Sequence, residues 1–439
     1  MKKRTLRPLM ALASACLLPT AVLAQTNQTP QTPQSAQSPQ QQPPQPVNQP
    51  INPAELPLTQ PLGLPPLPDP AAARRTEEPR TYEIRATAGI ERDDNVLRGP
   101  AGTERSDEIG VFGVGIRVAP RLGQQRILLD AEATTFRHSD LSNLDYTTLN
   151  YSAIWNWRIS NVLEGVASAD RRQYRDVGDT AVGALGTIGR RTERNELLEG
   201  GYRLDGAWRV LAGVQQQSSR SSDPRSLDAF PTVRSLRLGT SYDFASGSTI
   251  TARVRRGDGE YEGFPAVGDF EDNEVELTMR WLATAKTSLD ARLAYLNRSH
   301  DRAPTRDFDG LVGFAHVGYE VSPKIRLVTG FSRDLGSYVF GTGGHVQSSR
   351  VFFAPVYRVT ERISVNARYE RETRDWEDAA GSPDAGREDR TNTLSAGVDY
   401  SPRRFVTASA TLRRENRKSS LPAVNYKANV IGLALKFSL

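Results

Sequence analysis

The chain of 439 residues has one cysteine, four histidines and seven lysines, so it is poor in side chains that bind metals or act as nucleophiles. The cysteine, Cys16, lies in the first 24 residues, which consist of a basic region followed by an apolar region. This pattern predicts a secretory signal peptide that is cleaved before Gln25. A lipoprotein signal at Cys16 is the alternative. Cleavage after residue 24 leaves no thiol, which excludes disulfides and thiolate chemistry. The net charge falls from +5 to about +1, because four basic residues and no acidic one are lost, so nucleic acid is not an expected partner.

Long apolar runs are also missing. The mean hydropathy is -0.51 and the hydrophobic content 38%, and no uninterrupted apolar run reaches the ~18 residues of a membrane helix. A helical membrane protein is therefore excluded. A transmembrane β-barrel is not, because its strands present only every second side chain to lipid.

Motifs of catalysis and metal binding are absent as well. The sequence has no Gly-x-Ser-x-Gly, no His-Glu-x-x-His and no spaced Cys/His set. The acidic clusters Glu91–Asn95 and Asp307–Gly310 lack the ligand spacing of an EF-hand calcium loop. We predict that the protein is not an enzyme, has no catalytic residues and needs no cofactor or metal; a hydrolase using His316 is the alternative.

Three segments follow from composition. Residues 1–24 are the predicted signal peptide. Residues 25–75 are rich in Gln, Pro, Thr and Ser and bury too little apolar surface to fold, so we predict a disordered periplasmic segment. Residues 80–439 alternate polar and apolar side chains, as β-strands with one apolar face do. The alternation is clearest in residues 274–281, 362–370 and 406–413.

The last ten residues, Val430–Leu439, are apolar at every second position from Ile431. This ending resembles the terminal strand signal of bacterial outer-membrane proteins, although the aromatic residue is Phe437 and the last residue is Leu439. We expect this strand to pair with the first, because a barrel in lipid cannot leave an open edge. The barrel-assembly machinery is the partner expected to bind it.

Connection lengths predict how the strands are joined. Longer polar loops alternate with very short turns, which recur at intervals of roughly forty residues. Nine hairpins predict an all-β, transmembrane, antiparallel up-and-down barrel of about eighteen strands, or sixteen, in the outer membrane, with both termini periplasmic. A soluble sandwich or propeller is the alternative. The short turns are predicted near Arg121, Ser160, Asp205, Ser246, Ala285, Pro323, Glu361 and Pro402. The longer loops are predicted over Glu91–Asp107, Arg137–Asp145, Asp170–Arg194, Gln217–Pro231, Arg256–Asn273, Arg298–Asp309, Asp334–Ser349, Arg371–Arg390 and Glu415–Asn425.

If the apolar sets face lipid, the opposite sets line the lumen. Arginine binds carboxylate, sulfate or phosphate through a planar fork, so such a lining would favour anionic or sugar-like solutes. The alternative is that both signs pair across strands and only hydrate the wall. The pore-lining candidates are Arg237, Arg253, Arg255, Glu274, Glu276, Arg280, Asp290, Arg292, Arg326, Arg368 and Glu370. The same phase also places Asp130 and Glu132 inside.

The third long loop has an uncharged, glycine-rich middle, Thr180–Gly189, with Thr180, Gly183 and Gly186 among its small residues. Such a segment is unusual in a water-exposed loop. We predict that it folds into the lumen and narrows it, as the third loop of general porins does. A flexible surface loop is the alternative.

The first hairpin carries a resemblance to a known family. Residues 89–98, with Gly89, Asp93, Asp94, Asn95 and Arg98, resemble a signature of outer-membrane β-barrel porins encoded in exopolysaccharide or capsule loci, the EpsL-like barrels. Residues 156–165 are similar to the same family. Arg92 stands where an aromatic residue is expected.

The resemblance implies a hydrophilic passage linked to polysaccharide secretion or surface assembly, with polysaccharide-export components as partners. A general or small-solute porin is the first alternative, and a non-conducting surface scaffold or adhesion barrel the second. Lipid and lipopolysaccharide of a Gram-negative outer membrane are expected to surround any such barrel.

Overall fold

The computed structural model describes residues 81–176, 189–221, 231–261, 268–336, 344–377 and 385–439. The predicted signal peptide and the Gln/Pro-rich segment lie outside the described residues, as do Thr180, Gly183 and Gly186 of the predicted constriction.

The described residues form eighteen long antiparallel strands in one sheet, each paired with its neighbours in sequence. A two-residue strand, Arg121–Leu122, extends the second strand into its turn. The strands are β1 (Tyr82–Asp93), β2 (Asp107–Val118), β3 (Gln125–His138), β4 (Tyr146–Arg158), β5 (Leu163–Asp176), β6 (Gly189–Arg203), β7 (Trp208–Ser221), β8 (Pro231–Asp243), β9 (Thr249–Tyr261), β10 (Phe270–Thr284), β11 (Thr287–His300), β12 (Phe308–Ser322), β13 (Ile325–Gly336), β14 (His345–Arg358), β15 (Ile363–Glu377), β16 (Glu388–Arg403), β17 (Val406–Ser419) and β18 (Tyr426–Ser438).

The sheet closes because β18 pairs with β1 as well as with β17. Nine consecutive pairs join them, from Arg85 opposite Ser438 to Asp93 opposite Val430. Gly89 lies in this seam, where an added Cβ would stand 2.9 Å from the Leu433 carbonyl oxygen. The predicted closed antiparallel barrel and its strand number are confirmed.

The two faces of the wall differ as the alternation predicts. Apolar side chains of every second residue are exposed on the outside; Val275, for example, is 63% exposed. The aromatic residues beside the short turns, such as Trp281 and Tyr400, are exposed on the same face. Most of the intervening residues are charged, polar or small and point inward, and some large apolar ones, such as Leu296, Phe308 and Phe352, are buried there too. No helix in the described part of the chain is long and apolar enough to cross a membrane.

All eight predicted short turns are found at one end of the strands, and the longer connections are at the other. The predicted loops contain too many residues, however, because the strands continue several residues past the apolar band. The third predicted loop began at Asp170, whereas β5 continues to Asp176. Gly189, placed in the constriction by the sequence, instead begins β6 opposite Asp176. Polar alternation at a strand end has the same residue types as a loop, which explains the error.

Candidate functional site: the charged inner wall

All eleven pore-lining candidates lie on the inner face, opposite in phase to the exposed apolar side chains. Most are buried against one another; the Glu274 side chain is 3% exposed and that of Asp290 is 42% exposed. Ten of the eleven form an ion pair within 3.3 Å, and Arg237 approaches Glu276 at 3.7 Å. Whether they line a conducting path remains a prediction.

The largest set, which we call the central network, joins β6, β8, β9, β10 and β11. Arg292 donates to both Glu276 and Glu274, at 2.5 Å each. Glu274 also accepts from Arg255 at 2.6 Å, and Glu276 from Arg253 at 3.3 Å. These carboxylates each bridge two guanidinium groups, so each of the three arginines has an acidic partner there.

Two glycines explain how the central network reaches β6. Arg253 on β9 donates to Glu199 on β6 at 3.0 and 3.2 Å, although two strands lie between them. Gly239 stands opposite Arg253 and Gly213 opposite Glu199. A Cβ on Gly239 would lie 2.6 Å from Cγ of Arg253. The missing side chains therefore let the arginine lie flat along the wall.

A second network covers β14 and β15. Arg350 pairs with Glu370 at 3.2 Å and with Glu372 at 2.9 Å, and Arg368 pairs with Glu370 at 3.2 Å. The Arg368 guanidinium also lies 4.1 Å from the ring centre of Phe352, within the range of a cation–π contact. Nearer the short turns, the wall carries the separate pairs Arg280–Asp290 and Arg326–Glu320.

Several wall residues were missed by the list of candidates. Asp130 binds Arg85 at 2.6 Å and Arg117 at 2.9 Å, and Arg298 binds Asp272 at 2.7 Å. The last pair was missed because both residues fell in predicted loops. The alternation predicts the inward phase of Asp130. Arg85 carries the same phase in a clear strand, so the same signal could have found it.

The inner wall is thus lined by alternating charges of both signs. The prediction of an arginine lining that favours anions assumed free guanidinium groups, whereas the structure pairs them with carboxylates. A wall of this kind attracts water and polar solutes without a strong preference for one sign of charge. Among the described residues, no group of His, Cys, Asp or Glu is arranged to hold a metal ion.

The family-like motif ties the first long loop to the end of the barrel seam. Asn95, fully buried, donates to the carbonyl groups of Gly99 at 2.8 Å and Lys427 at 2.9 Å. Asp94 accepts from the backbone and side chain of Asn429, both at 2.7 Å. The motif therefore holds the loop on β18, at the long-loop end of the closure.

Arg98 fixes the other side of this loop. It has a φ of 54°, rare for a residue with a side chain, and donates to Asp93 at 2.7 Å and to Glu415 on β17 at 2.9 Å. Burial lowers the pKa of Arg98, but Glu415 and Asp93 outweigh it, so that the pKa is raised above its ordinary value. The guanidinium stays charged, and its bonds stabilise the unusual backbone conformation.

The same loop reaches across the barrel mouth. Val96 is fully buried, and its carbonyl group accepts a hydrogen bond from Arg175 on β5. Since β5 lies four strands from β1 in the sheet, roughly 19 Å along the wall, the contact spans the interior. In the described part of the chain, the first long loop therefore narrows the mouth. The sequence signal that was overlooked is the apolar Val96 within an otherwise polar loop.

A closed barrel with an apolar exterior and a charged interior defines a class, the integral outer-membrane β-barrel of porin type. Residues 279–439 match the family described as "Putative beta-barrel porin 2". The match runs from β10 to β18 and supports an assignment to outer-membrane porins. No curated protein matches the chain in sequence.

Solved porin structures resemble the chain only at low identity. OpdK of Pseudomonas aeruginosa, determined with vanillate, is 12% identical with a TM-score of 0.46, and the alignment covers 82% of this chain and 99% of OpdK. OccK2 (OpdF) of the same organism, in complex with glucuronate, is 12% identical with a TM-score of 0.46 and coverages of 82% and 98%. OccAB3 of Acinetobacter baumannii is 10% identical with a TM-score of 0.44 and the same coverages.

Proposed function

We propose that the protein is a diffusion channel for small hydrophilic solutes across the outer membrane. The observation that carries this proposal is the inner wall of paired arginines and carboxylates inside an apolar barrel. A polar solute can exchange hydrogen bonds with such a wall, because both donors and acceptors are present along it. The balanced charges favour neutral and zwitterionic solutes, such as sugars and amino acids, over a single class of anion.

The predicted link to exopolysaccharide or capsule secretion rests on the resemblance of a short motif. In the structure this motif holds the first loop in place. That role does not depend on which solute passes through the barrel. The match to a porin family supports the passage of solutes through the barrel. It gives no information on whether a polymer passes. Polymer export therefore remains a prediction, and loss of secreted polymer with intact small-solute uptake in a deletion strain would favour it.

Recording from planar bilayers tests the proposed channel. We expect the refolded full chain to produce stepwise conductance with a potassium-to-chloride permeability ratio near one, because the wall charges compensate each other. Proteoliposomes should swell in solutions of uncharged monosaccharides. Heat-denatured protein from the same preparation is the control. A fully assembled barrel that neither conducts ions nor admits sugars would refute the proposed channel. It would favour the alternative of a non-conducting surface scaffold.

A further inference from the structure

The inner wall carries a depression on β11 to β14, in the half of the barrel nearer the short turns. Its centre is Gly318 on β12, four residues before this strand ends at Ser322, which is about 13 Å along the strand. The register places Ser288 beside Gly318 on one side, and Val328 and then Ala354 on the other. None of these four residues has a large side chain, and we call the row that they form the Gly318 depression.

The row one step toward the long loops is aromatic. His316 on β12 and Phe352 on β14 reach toward each other over Gly330 on β13. A Cβ added to Gly330 would overlap Cδ2 of His316 and stand 2.6 Å from Cε1 of Phe352. The two rings are tilted by 58° at a centroid distance of 5.5 Å. The glycine therefore lets the two rings meet and form one edge of the depression.

One face of the His316 ring is turned toward the depression. Phe314 stacks on the other face, with ring centroids 4.8 Å apart and an interplanar angle of 21°. Phe314 precedes His316 by two residues and Gly318 follows it by two, so all three positions lie on the same side of the strand. Because Gly318 has no side chain, β12 leaves the second face of the imidazole uncovered.

The depression is flanked by two ion pairs that are more exposed than the central network. Asp290 pairs with Arg280 at 3.0 Å, and Glu320 pairs with Arg326 at 3.2 Å. These four side chains are 32% to 42% exposed, against 3% for Glu274. Each pair is neutral as a whole, so the two pairs supply hydrogen-bond donors and acceptors without a net charge that would select an ion.

Polar groups of these strands reach the centre of the depression. A Cβ added to Gly318 would lie 3.0 Å from Oγ of Ser288 and 3.9 Å from Nη2 of Arg326. Asp290 stands directly opposite His316, beside the imidazole. A solute in the depression therefore meets a hydroxyl, a guanidinium group and a carboxylate around one aromatic face.

We infer that the Gly318 depression binds one pyranose ring of a neutral sugar. The C–H groups on one face of such a ring are attracted to the negative face of an aromatic ring, here that of His316. The sugar hydroxyls exchange hydrogen bonds with Ser288, Asp290 and Arg326. An amino acid has no flat apolar face, and a planar aromatic solute has few hydroxyls for the polar rim. The inference rests on the proposed function, since the sugar must enter the lumen, and it adds where the sugar binds.

Saturation-transfer NMR on the refolded full chain in detergent tests the inference, because it detects binding whether or not the barrel conducts. The probes are methyl α-glucoside and sorbitol, an open-chain polyol with similar hydroxyls and no ring face. We expect a dissociation constant on the order of millimolar for the glucoside, weak enough for passage, and binding of sorbitol roughly tenfold weaker. H316A should weaken glucoside binding roughly threefold to tenfold, because a stacking contact is lost, whereas H316F should retain it.

A second variant, G318L, fills the depression and should weaken glucoside binding on the order of tenfold. The matched control is G113L on β2, on the far side of the barrel, where an added Cβ also lies nearest to a hydroxyl, 3.3 Å from Oγ1 of Thr134. It should bind the glucoside within about twofold of the original chain. Heat-modifiable mobility on gels verifies that each variant is assembled.

Equal binding of the glucoside and sorbitol, or equal loss in G318L and G113L, would overturn the inference. Displacement of the glucoside by an equal concentration of benzamide would also overturn it, since the site would then be one for planar aromatic solutes. Conduction without glucoside binding refutes only the sugar site. Glucoside binding that follows the expected order of variants, in a barrel that conducts no ions, supports the site and refutes only the proposed channel.

Discussion

Replacing Glu274 and Glu276 with glutamine is expected to make the channel selective for anions. Both carboxylates lie in the central network, where they bridge Arg253, Arg255 and Arg292. A unit charge about 8 Å from an ion in water changes its energy by roughly 0.5 kcal/mol, with opposite sign for anion and cation. With two charges and screening by 0.1 M salt, the chloride-to-potassium permeability ratio should rise on the order of fivefold. The reversal potential in a salt gradient measures this ratio.

The opposite substitution provides the mirror experiment. Arg253→Gln with Arg292→Gln removes two positive charges from the same network, so the reversal potential should shift toward cations by a similar amount. The variant with all four substitutions restores the balance of charge and should return close to the original ratio. If both double variants are assembled and neither moves the reversal potential, the central network does not line the ion path.

Releasing the first loop should have a large effect on both stability and conductance. In the variant N95A/R98A, the buried acceptors Asp93 and Glu415 lose their guanidinium partner, and the loop loses its bonds to β18. Removing one member of a buried ion pair costs about 3–5 kcal/mol, to which a lost buried hydrogen bond adds about 1–3 kcal/mol. Urea unfolding in lipid vesicles, followed by tryptophan fluorescence, should show this loss. Single-channel conductance should rise, because the loop no longer crosses the mouth.

The control for the loop variant is Arg105→Ala. Arg105 lies in the same loop with an exposed side chain, and only its backbone carbonyl bonds to Val96. Its replacement should leave unfolding within about 0.5 kcal/mol of the original and conductance unchanged. If N95A/R98A unfolds and conducts like the Arg105 variant, the motif does not hold the loop in the mouth.

The barrel could be predicted from sequence because lipid enforces a pattern of period two on every strand. Positions such as Val275 and Leu277 must be apolar because they face acyl chains. Inward positions such as Glu274 and Glu276 are free of this requirement and can be charged. The short turns recur where apolar alternation breaks. The strand number and the inward phase of all eleven wall candidates follow from these two signals.

What the sequence did not predict depends on contacts between strands that are not neighbours. The pair Glu199–Arg253 forms across Gly213 and Gly239, and no periodicity within one strand encodes it. Strand ends beyond the lipid also escaped detection, because alternation there is polar on both faces. Asp272 and Arg298 were assigned to loops for this reason, which hid their pairing on the wall.

Site-directed spin labelling of the assembled protein in lipid vesicles tests the orientation of the wall most directly. Nitroxides are placed singly at Leu277 and Leu293, which point outward, and at Ser288 and Asp290, which point inward. We expect labels at the two leucine positions to be relaxed by oxygen dissolved in the bilayer and shielded from an aqueous nickel complex. Labels at Ser288 and Asp290 should show the opposite accessibility. Nickel access at Leu277 and Leu293, with oxygen access at Ser288 and Asp290, would contradict a barrel that is apolar outside and charged inside.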